Sequence, residues 1–480
     1  MALDPRLFPK RVRYAALLTV NVFVFMGNMY SSGLATGFEN LGSDLRIPYQ
    51  KLSDLITWSV LAMGLANLFW MPLALCFGKR PVVLVAMTMF MTGTVWSAVA
   101  KDYNSLLGSR VFASFGYGSI ESLGPSILAD LFYERHYASA MAIYAAFLSG
   151  GSQIGPVIAG YLIQARGWRW FFILCAIIAA VNLCTTFFML PETTFEEETA
   201  PEISNDIEKN ANHIEAVGTT SSIDQRATAM DYKEYWKGLF TVGIMKGAQQ
   251  RGPLMHFIYT FCLPFPLLIV PGVLLASIMY GVVLGGIVAI STLAPSLLSP
   301  PPYLFTPPSL GLFTLSSFIG IIISWPIAGP LTDQLSLFLR KRNNNIHKPE
   351  HRIPALIIPF IVSPLGLVIF GYTISRHQHY VRPAVGQAMV AAGLTLVPSV
   401  MLSYVVDSYP LMSGEALVLV NASKNIVAFG LAKGSYTWMQ TEGVEKMFYE
   451  MAGILWAAIL LAVPLYFVGP WLRRRTQKLF

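Results

Sequence analysis

Two residues of opposite charge lie within one apolar stretch of the sequence, residues 105–131. Arg110 and Glu121 are eleven residues apart, and eleven residues at about 100° each return a helix to nearly the same direction. Ser114 and Gly118 fall between them on that face, which would be about 16 Å long. Because an ion inside a bilayer costs several kcal/mol, we expect the face to look into an aqueous cavity. The alternative for Arg110 is a shallow position from which it snorkels to the surface.

The expected chemistry of this face is the binding of a proton or a cation. A carboxylate in a low-dielectric cavity can load and release a proton, so Glu121 is a candidate proton carrier that the arginine biases electrostatically. Contact with a cationic substrate is an equal alternative. A second polar face lies further along, where Asn421, Lys424 and Asn425 are spaced by three and four residues. We expect Lys424 to be paired or repelled as the protein changes conformation, and Lys433, on the opposite face, to snorkel.

A third apolar stretch, residues 138–163, is poor in bulky side chains. Its part 149–160 reads SGGSQIGPVIAG, in which small residues every four positions share one face and let another helix approach closely. The proline removes one helix hydrogen bond, so this helix can also bend. An ordinary packing seam is the alternative. The residues that we assign to conformational change here are Gly150, Gly151, Gly155, Pro156 and Gly160.

The composition of the whole chain is that of a membrane protein. Of its 480 residues 54% are hydrophobic and 12% are charged, and repeated apolar runs of about twenty residues indicate a polytopic helical membrane protein rather than a soluble enzyme. The basic residues are dispersed at the ends of these runs, so the net charge of +7 does not predict nucleic-acid binding. The predicted spans are 14–34, 54–76, 81–100, 105–131, 138–163, 168–190, 264–296, 308–331, 353–375, 384–406, 416–438 and 448–470.

The spans divide the chain into three parts. Residues 1–190 hold six spans, residues 191–255 form an acidic, polar linker that we expect to be largely disordered, and residues 256–480 hold six more. The short connecting segments carry sixteen Lys and Arg residues on the side of the termini and eight on the other side. This bias predicts that both termini and the linker are cytoplasmic.

No metal or cofactor site is predicted. His347 and His351 have a metal-like spacing, but Pro349 between them breaks a helical pair, and the four cysteines lie in or beside apolar runs without metal-ligand spacing. A phosphate-binding GxxxxGK[ST] loop is missing from the sequence. We therefore expect neither an enzyme nor a protein driven by its own ATP hydrolysis.

A weak internal repeat follows the second and eighth predicted spans. Residues 71–80 read MPLALCFGKR, and residues 329–333 read GPLTD before the basic run 340–342. Both resemble the inner-loop motif G-x-L-x-D-x-x-G-R-K/R of the major facilitator superfamily, in which a carboxylate and basic residues latch neighbouring helix ends. The first copy lacks the aspartate, so we expect Asp333 to carry more of the latch, and topology alone could explain the basic pair of the first copy. The residues assigned to the two copies are Gly78, Lys79, Arg80, Gly329 and Asp333.

Three further stretches resemble the same superfamily. The pattern GGxxxGPxxxG in residues 150–160 is similar to the antiporter motif of twelve-span drug exporters. Residues 106–116 resemble the fourth-span motif of proton-linked members, whose arginine is tied to proton coupling. The block DSYPLMSGEAL, which runs from Asp407 through Glu415 to residue 417, resembles a signature of fungal facilitator transporters.

The resemblance implies an all-α polytopic membrane protein with twelve transmembrane helices in two six-helix bundles, the major facilitator fold, which rocks around a central cavity. It implies a monomer, without cofactor, that exports a drug-like compound or fungal metabolite across the plasma membrane in exchange for protons. The alternatives are proton-linked uptake of a small cationic nutrient and a nutrient receptor that does not transport. The candidates for the transport path and coupling are Arg110, Ser114, Glu121, Gln153, Asn421, Lys424 and Asn425.

Overall fold

The structure of the protein is a computed structural model that describes residues 5–194, 252–342 and 348–476. All regular elements in these ranges are helices. Most of the predicted linker, residues 195–251, lies outside the described residues. We call the side on which the first span begins and the last span ends the terminal side, and the opposite side the distal side.

The first half of the chain contains six spans. Five of them contain one long helix each, and the fourth consists of two shorter helices. The bounds are Lys10–Gly33 for the first span, continued by Leu34–Gly37 and Phe38–Leu45, then Tyr49–Phe77, Lys79–Val99, Tyr103–Tyr117 with Ser119–Leu131, Glu134–Arg166 and Trp168–Met189.

The fourth span differs from the predicted single helix, because it is interrupted at Gly118. A Cβ atom at Gly118 would lie 2.7 Å from the Cβ of Ala66 and 2.8 Å from the carbonyl oxygen of Met63. The second span therefore approaches the backbone at the interruption. Within the described ranges, eleven helices are long and apolar enough to cross a membrane, and the divided fourth span brings the number to twelve.

The second half begins with a short apolar helix, Pro253–Cys262, and a 3₁₀ turn, Phe265–Ile269. The seventh span was predicted from residue 264, but its helix begins at Pro271, a residue suited to the first helical turn. The seventh span is Pro271–Leu298, and the eighth consists of Pro307–Pro326, a π-helical turn Ile327–Leu331 and Thr332–Arg342. The ninth span is Ile357–Ser375, preceded by the 3₁₀ segment Pro349–Leu356, and the tenth is Val381–Ser408. The eleventh span is Ser413–Glu442, preceded by the 3₁₀ turn Pro410–Met412, and the twelfth consists of Val444–Leu460 and Ala462–Thr476.

The two halves pack in the same way. Two large clusters of buried apolar residues come, respectively, almost entirely from the first six spans and from the last six, and a small third cluster of Ala328, Ala392 and Leu396 lies in the second half. In the first half the first span packs on the fifth, and the third packs on the fourth and sixth. In the second half, correspondingly, the seventh span packs on the eleventh, and the ninth packs on the tenth and twelfth. The halves meet mainly where the second span packs on the eleventh and the fifth packs on the eighth.

Candidate functional site

A cavity of about 440 Å³ lies between the two halves, within the size range of small-molecule sites. It is lined by the first, second, fourth and fifth spans and by the seventh, eighth, tenth and eleventh. Most of the lining is apolar, with amide and hydroxyl groups between the apolar side chains. Among the described residues that line it, Glu121 and Lys424 are the only charged ones. The cavity therefore suits an amphipathic organic molecule.

Glu121 and Lys424 form an ion pair that bridges the two halves. The Oε1 atom of Glu121 lies 3.7 Å from Nζ of Lys424, and the two side chains are 10% and 7% exposed. The other carboxylate oxygen accepts hydrogen bonds from the side-chain amides of Asn67, at 3.2 Å, and Asn425, at 3.5 Å. Removing either partner would leave the other charge desolvated and uncompensated, which is strongly unfavourable.

An aromatic side chain forms the second contact of the ammonium group. Nζ of Lys424 donates a hydrogen bond of 3.5 Å to the hydroxyl of Tyr280 and lies 4.6 Å from the centre of its ring. A ring face attracts a cation through its quadrupole. The cavity thus contains a position for an ammonium group between a carboxylate and an aromatic ring.

The eleventh span supplies three of the predicted residues to this site. Asn421, Lys424 and Asn425, whose spacing puts them on one polar face, all line the cavity, and their part in transport stays a prediction. Gly64 of the second span allows the close approach, because a Cβ there would lie 2.6 Å from the Cβ of Asn425. Asn67 and Tyr280 were not among the predicted residues, although an isolated asparagine within an apolar run is a signal of the same kind as Asn421.

Arg110 does not face the cavity, and this corrects the expectation for it. Its side chain is fully buried, at 0% exposure, so it does not snorkel either. Its guanidinium donates to the carbonyl oxygens of Leu55 at 2.9 Å, Ser31 at 3.2 Å and Tyr30 at 3.4 Å. An arginine has five N–H donors, so backbone carbonyls of two neighbouring spans can replace water around it. Ser114 is also buried and outside the cavity lining.

The glycines of the fifth span contact two different helices, the first span and the eighth. A Cβ at Gly151 would lie 2.2 Å from the carbonyl oxygen of Phe25, and one at Gly155 would lie 2.7 Å from Cα of Met29. Both partners belong to the first span, so these glycines serve packing within the first half. Gly150 has only ordinary contacts, the nearest at 3.6 Å from Phe25. The role of these glycines in conformational change stays a prediction.

The distal part of the fifth span instead contacts the other half. A Cβ at Gly160 would lie 2.4 Å from the carbonyl oxygen of Pro307, and one at Gly311 would lie 2.5 Å from the carbonyl oxygen of Pro156. The hydroxyl of Thr314 donates to the backbone carbonyl of Gln153 at 3.1 Å, and the Gln153 residue also lines the cavity. The fifth and eighth spans therefore touch backbone to backbone beside the cavity.

The second and eleventh spans close the same side. Nζ of Lys433 lies 2.5 Å from the carboxylate of Asp54, so this lysine is paired across the halves rather than snorkelling as expected. The ring of Tyr49 stacks on Tyr436 with centroids 5.0 Å apart, and its hydroxyl donates to the carbonyl of Thr292 at 2.6 Å. We call these contacts and the fifth–eighth span contacts the distal seal. The cavity lies on the terminal side of the distal seal.

The first inner-loop motif holds helix ends together on the terminal side. Gly78 has a φ of 94°, which glycine adopts without strain. The ammonium of Lys79 pairs with Asp130 at the end of the fourth span and donates to the carbonyl of Ser126 at 3.3 Å. Asp130 thus supplies the carboxylate that the motif itself lacks. The basic pair does more than signal topology.

Glu192 joins the sixth span to the same motif. Its carboxylate accepts from the backbone N–H groups of Lys79 at 3.0 Å and Arg80 at 3.3 Å, at the positive end of the third span. The guanidinium of Arg80 donates to the carbonyl of Phe187 at 2.8 Å. Four helix ends of the first half are therefore tied together.

The second half repeats this network with other residues. Arg352, before the ninth span, lies 2.8 Å from Asp407 at the end of the tenth, in the place that corresponds to the Lys79 pair. Arg473 lies 3.5 Å from Glu350. Glu415 is half-buried in the first turn of the eleventh span. Gly329 lies in the π-helical turn, whereas the side chain of Asp333 lies outside the described residues, so its latch role stays a prediction.

Comparison with known proteins identifies the class. The sequence profile of the Major Facilitator Superfamily matches residues 17–432, and the chain belongs to this superfamily. It is similar to an uncharacterised transporter of this type from Schizosaccharomyces pombe, 24% identical over 92% of this chain and 81% of that protein. It is also similar to the MFS transporter cpaT of Aspergillus oryzae, 26% identical over 95% and 87%, and to the MFS-type transporter penM of Penicillium rubens, 25% identical over 85% and 74%.

A solved structure shares the fold. The xylose transporter XylE from E. coli, in a partially occluded inward open conformation, superposes with a TM-score of 0.65 over 94% of this chain and 97% of that one. The sequences are 12% identical, so the likeness concerns the fold. The predicted fold class, an all-α polytopic membrane protein of the major facilitator fold, is confirmed.

Proposed function

We propose that this protein is a secondary active transporter that exports a small organic molecule through the central cavity in exchange for protons. The observation that carries the proposal is the Glu121–Lys424 pair, which joins the two halves and provides the only charges among the described cavity-lining residues. A group that binds either a proton or a substrate couples their movements when it lies between two halves that move.

The exchange follows from the contacts of the pair. A proton on Glu121 removes the charge that holds Lys424 at 3.7 Å, so the lysine is left with Tyr280. The neutral carboxyl then keeps only the hydrogen bond from Asn425, at 3.5 Å, as its tie to the eleventh span. Deprotonation restores the negative charge and with it the attraction between the halves, or provides a partner for the polar group of a substrate. Proton and substrate thus compete for one site.

The orientation is part of the proposal. The positive-inside bias of the short connecting segments puts the terminal side in the cytoplasm, so the cavity faces inward while the distal seal is closed. The inward open conformation in which XylE was solved is consistent with this orientation. We further propose residence in the plasma membrane, a monomeric protein, and a linker in residues 191–255 that is passive beyond the contacts of Glu192.

The second candidate is proton-linked uptake of a small cationic nutrient. The position of the Lys424 ammonium, between the carboxylate of Glu121 and the ring of Tyr280, favours a cationic substrate, because a substrate ammonium could replace that of the lysine. Both candidates involve Glu121, but export in exchange for protons requires proton and substrate to compete for it, whereas uptake requires both to be bound at the same time. They differ in the direction in which the proton gradient drives the substrate.

Transport assays in vesicles of both orientations test the proposal. A panel of drug-like fluorescent dyes, including the cation rhodamine 6G, is offered to everted vesicles with an acidic interior and to right-side-out vesicles with an acidic exterior. An exporter accumulates dye in the first and an uptake carrier in the second. For one-for-one electroneutral exchange, a difference of one pH unit sustains about tenfold accumulation.

Glu121→Gln keeps the shape of the side chain and removes its charge and titration. We expect this variant to lose accumulation driven by the pH gradient, whereas Glu39→Gln, at an exposed position on the distal side, should behave as the unmodified protein. If Glu121→Gln still accumulates dye against its gradient with unaltered pH dependence, Glu121 is not the coupling group and the proposal fails.

A further inference from the structure

A second apolar groove lies on the outer surface of the second half, away from the central cavity. It measures about 410 Å³ and runs between the start of the ninth span and the twelfth span. The twelfth span is interrupted at Leu461, between its two helices, and the groove lies along this interruption. Four of its lining residues are strongly exposed: Ile357 at 65%, Leu460 at 57%, Val463 at 51% and Phe467 at 74%.

The exposed face of the twelfth span continues from the groove to a basic helix end. Val463, Phe467, Trp471 and Arg474 follow one another at intervals of four, four and three residues, so they share one face of the helix Ala462–Thr476. Arg474 is about 10 Å nearer to the terminal end than Phe467. Toward the terminal end this face changes from an aliphatic residue, Val463, to aromatic residues and then to Arg474. The same order of environments, acyl chains followed by the interface and the headgroups, is found in a bilayer.

Two of the three arginines at this helix end have charges that no carboxylate balances in the described contacts. Arg473 is engaged with Glu350 at 3.5 Å. Arg475 lies over the ring of Trp471, 4.2 Å from its centre, which orients the guanidinium and keeps its charge. Arg474 is exposed. Guanidinium groups bind phosphate oxygens through paired hydrogen bonds.

We propose that this groove is a binding site for one anionic phospholipid of the terminal-side leaflet. One acyl chain fills the groove beside Val463 and Phe467, and the phosphodiester and the acidic headgroup contact Arg474 and Arg475. A zwitterionic lipid would fill the groove but would bring no net charge to the two arginines. Neither transport of substrate nor the central cavity is required for this binding.

Native mass spectrometry of the purified full-length protein tests the site. The protein is titrated in neutral detergent with phosphatidylserine or phosphatidylcholine, and bound lipid is counted. A basic residue near a membrane surface contributes about fivefold in affinity for an acidic lipid. We therefore expect one phosphatidylserine to bind about 25-fold more tightly than phosphatidylcholine through the two arginines.

Variants separate the headgroup contact from the groove. Arg474→Gln should weaken phosphatidylserine binding about fivefold and phosphatidylcholine binding by less, because phosphatidylcholine brings the phosphodiester but no net charge. Val463→Trp, which fills the groove from an exposed position, should weaken binding of both lipids. Arg11→Gln removes an exposed arginine on the terminal side of the other half and should change neither.

Three results would overturn the proposal. Equal affinity of the unmodified protein for the two lipids would show that the groove has no headgroup selectivity. An equal loss in Arg11→Gln and Arg474→Gln would show a diffuse surface charge instead of a site. Self-association that Val463→Trp abolishes, without selective lipid binding, would assign the groove to a second copy of the chain.

Discussion

Gly160→Ala should move the protein out of the state with a closed distal seal. The added methyl carbon would lie 2.4 Å from the carbonyl oxygen of Pro307 and 3.0 Å from Cα of Pro308. Both are backbone atoms of consecutive prolines whose φ angles are fixed by their rings, so the eighth span cannot yield locally. The contact joins the two halves, and opening of the distal side would remove it.

The size of the shift follows from the cost of overpacking. One extra methyl group in a tight contact costs about 1–3 kcal/mol. Because the cost falls only on the closed state, the ratio of open to closed populations should rise by about 5-fold to 150-fold, at tenfold for each 1.4 kcal/mol. Gly155→Ala is the matched control, since its methyl group would meet Met29 of the same half at 2.7 Å and burdens both states equally.

Distances between spin labels on the distal side measure the shift. Labels attached to cysteines at Lys101 and His379 report the separation of the halves, because the two positions are exposed and lie in different halves. The exposed native cysteines, Cys184 and Cys262, are first replaced by serine. Gly160→Ala should shift the distance distribution to longer values, whereas Gly155→Ala should not.

Two results would refute this reasoning. If Gly160→Ala has the distance distribution of the unmodified protein, the fifth–eighth span contact does not limit distal closure. If Gly155→Ala shifts the distribution as far as Gly160→Ala, the glycines act through packing in general and not through the contact between the halves.

Two further variants test other contacts. Lys433→Met should lengthen the distance between the labels at positions 101 and 379, because Asp54 at the distal seal loses its counter-charge at 2.5 Å. Exchanging the two charged residues should restore the shorter distance. A charge-exchanged variant that stays open would contradict the role of the pair. Arg110→Lys should lower the unfolding temperature, because one ammonium cannot satisfy the carbonyls that the guanidinium binds and each unsatisfied group costs about 1–3 kcal/mol. The pH dependence of transport should stay unchanged, and a stable variant with altered pH dependence would instead assign Arg110 to coupling.

The sequence alone predicted the fold class and part of the candidate site. Apolar run lengths follow from bilayer thickness, so the spans were found, and the cost of intramembrane charge directed attention to Glu121 and Lys424. The charge of Arg110 is just as costly inside the bilayer, but its side chain is buried among backbone groups instead of facing the cavity. Its partners are backbone carbonyls of two other spans, and nothing in the sequence reports which carbonyls face an arginine.

Contacts between the halves were beyond prediction for a related reason. Asp54 and Lys433 are separated by most of the chain and are paired only because the second and eleventh spans meet. The side chain of Asp130 similarly compensates for a gap in the first inner-loop motif. Such pairs depend on the mutual register of helices, which hydrophobic periodicity does not contain.

The charged residues of the fourth span have partners that are translated at different times, and this has a consequence for biosynthesis. The three carbonyl partners of Arg110 lie 55 to 80 residues earlier in the chain, so they are translated before the fourth span. Asn425 is made 304 residues after Glu121, so the carboxylate must enter the bilayer before the second half exists, at a cost of about 2.5–3.5 kcal/mol for a charge at mid-span. Asn67 of the second span, 3.2 Å from Glu121, has been translated by then. The order of translation thus makes Asn67 the partner that accommodates Glu121 until the eleventh span is made.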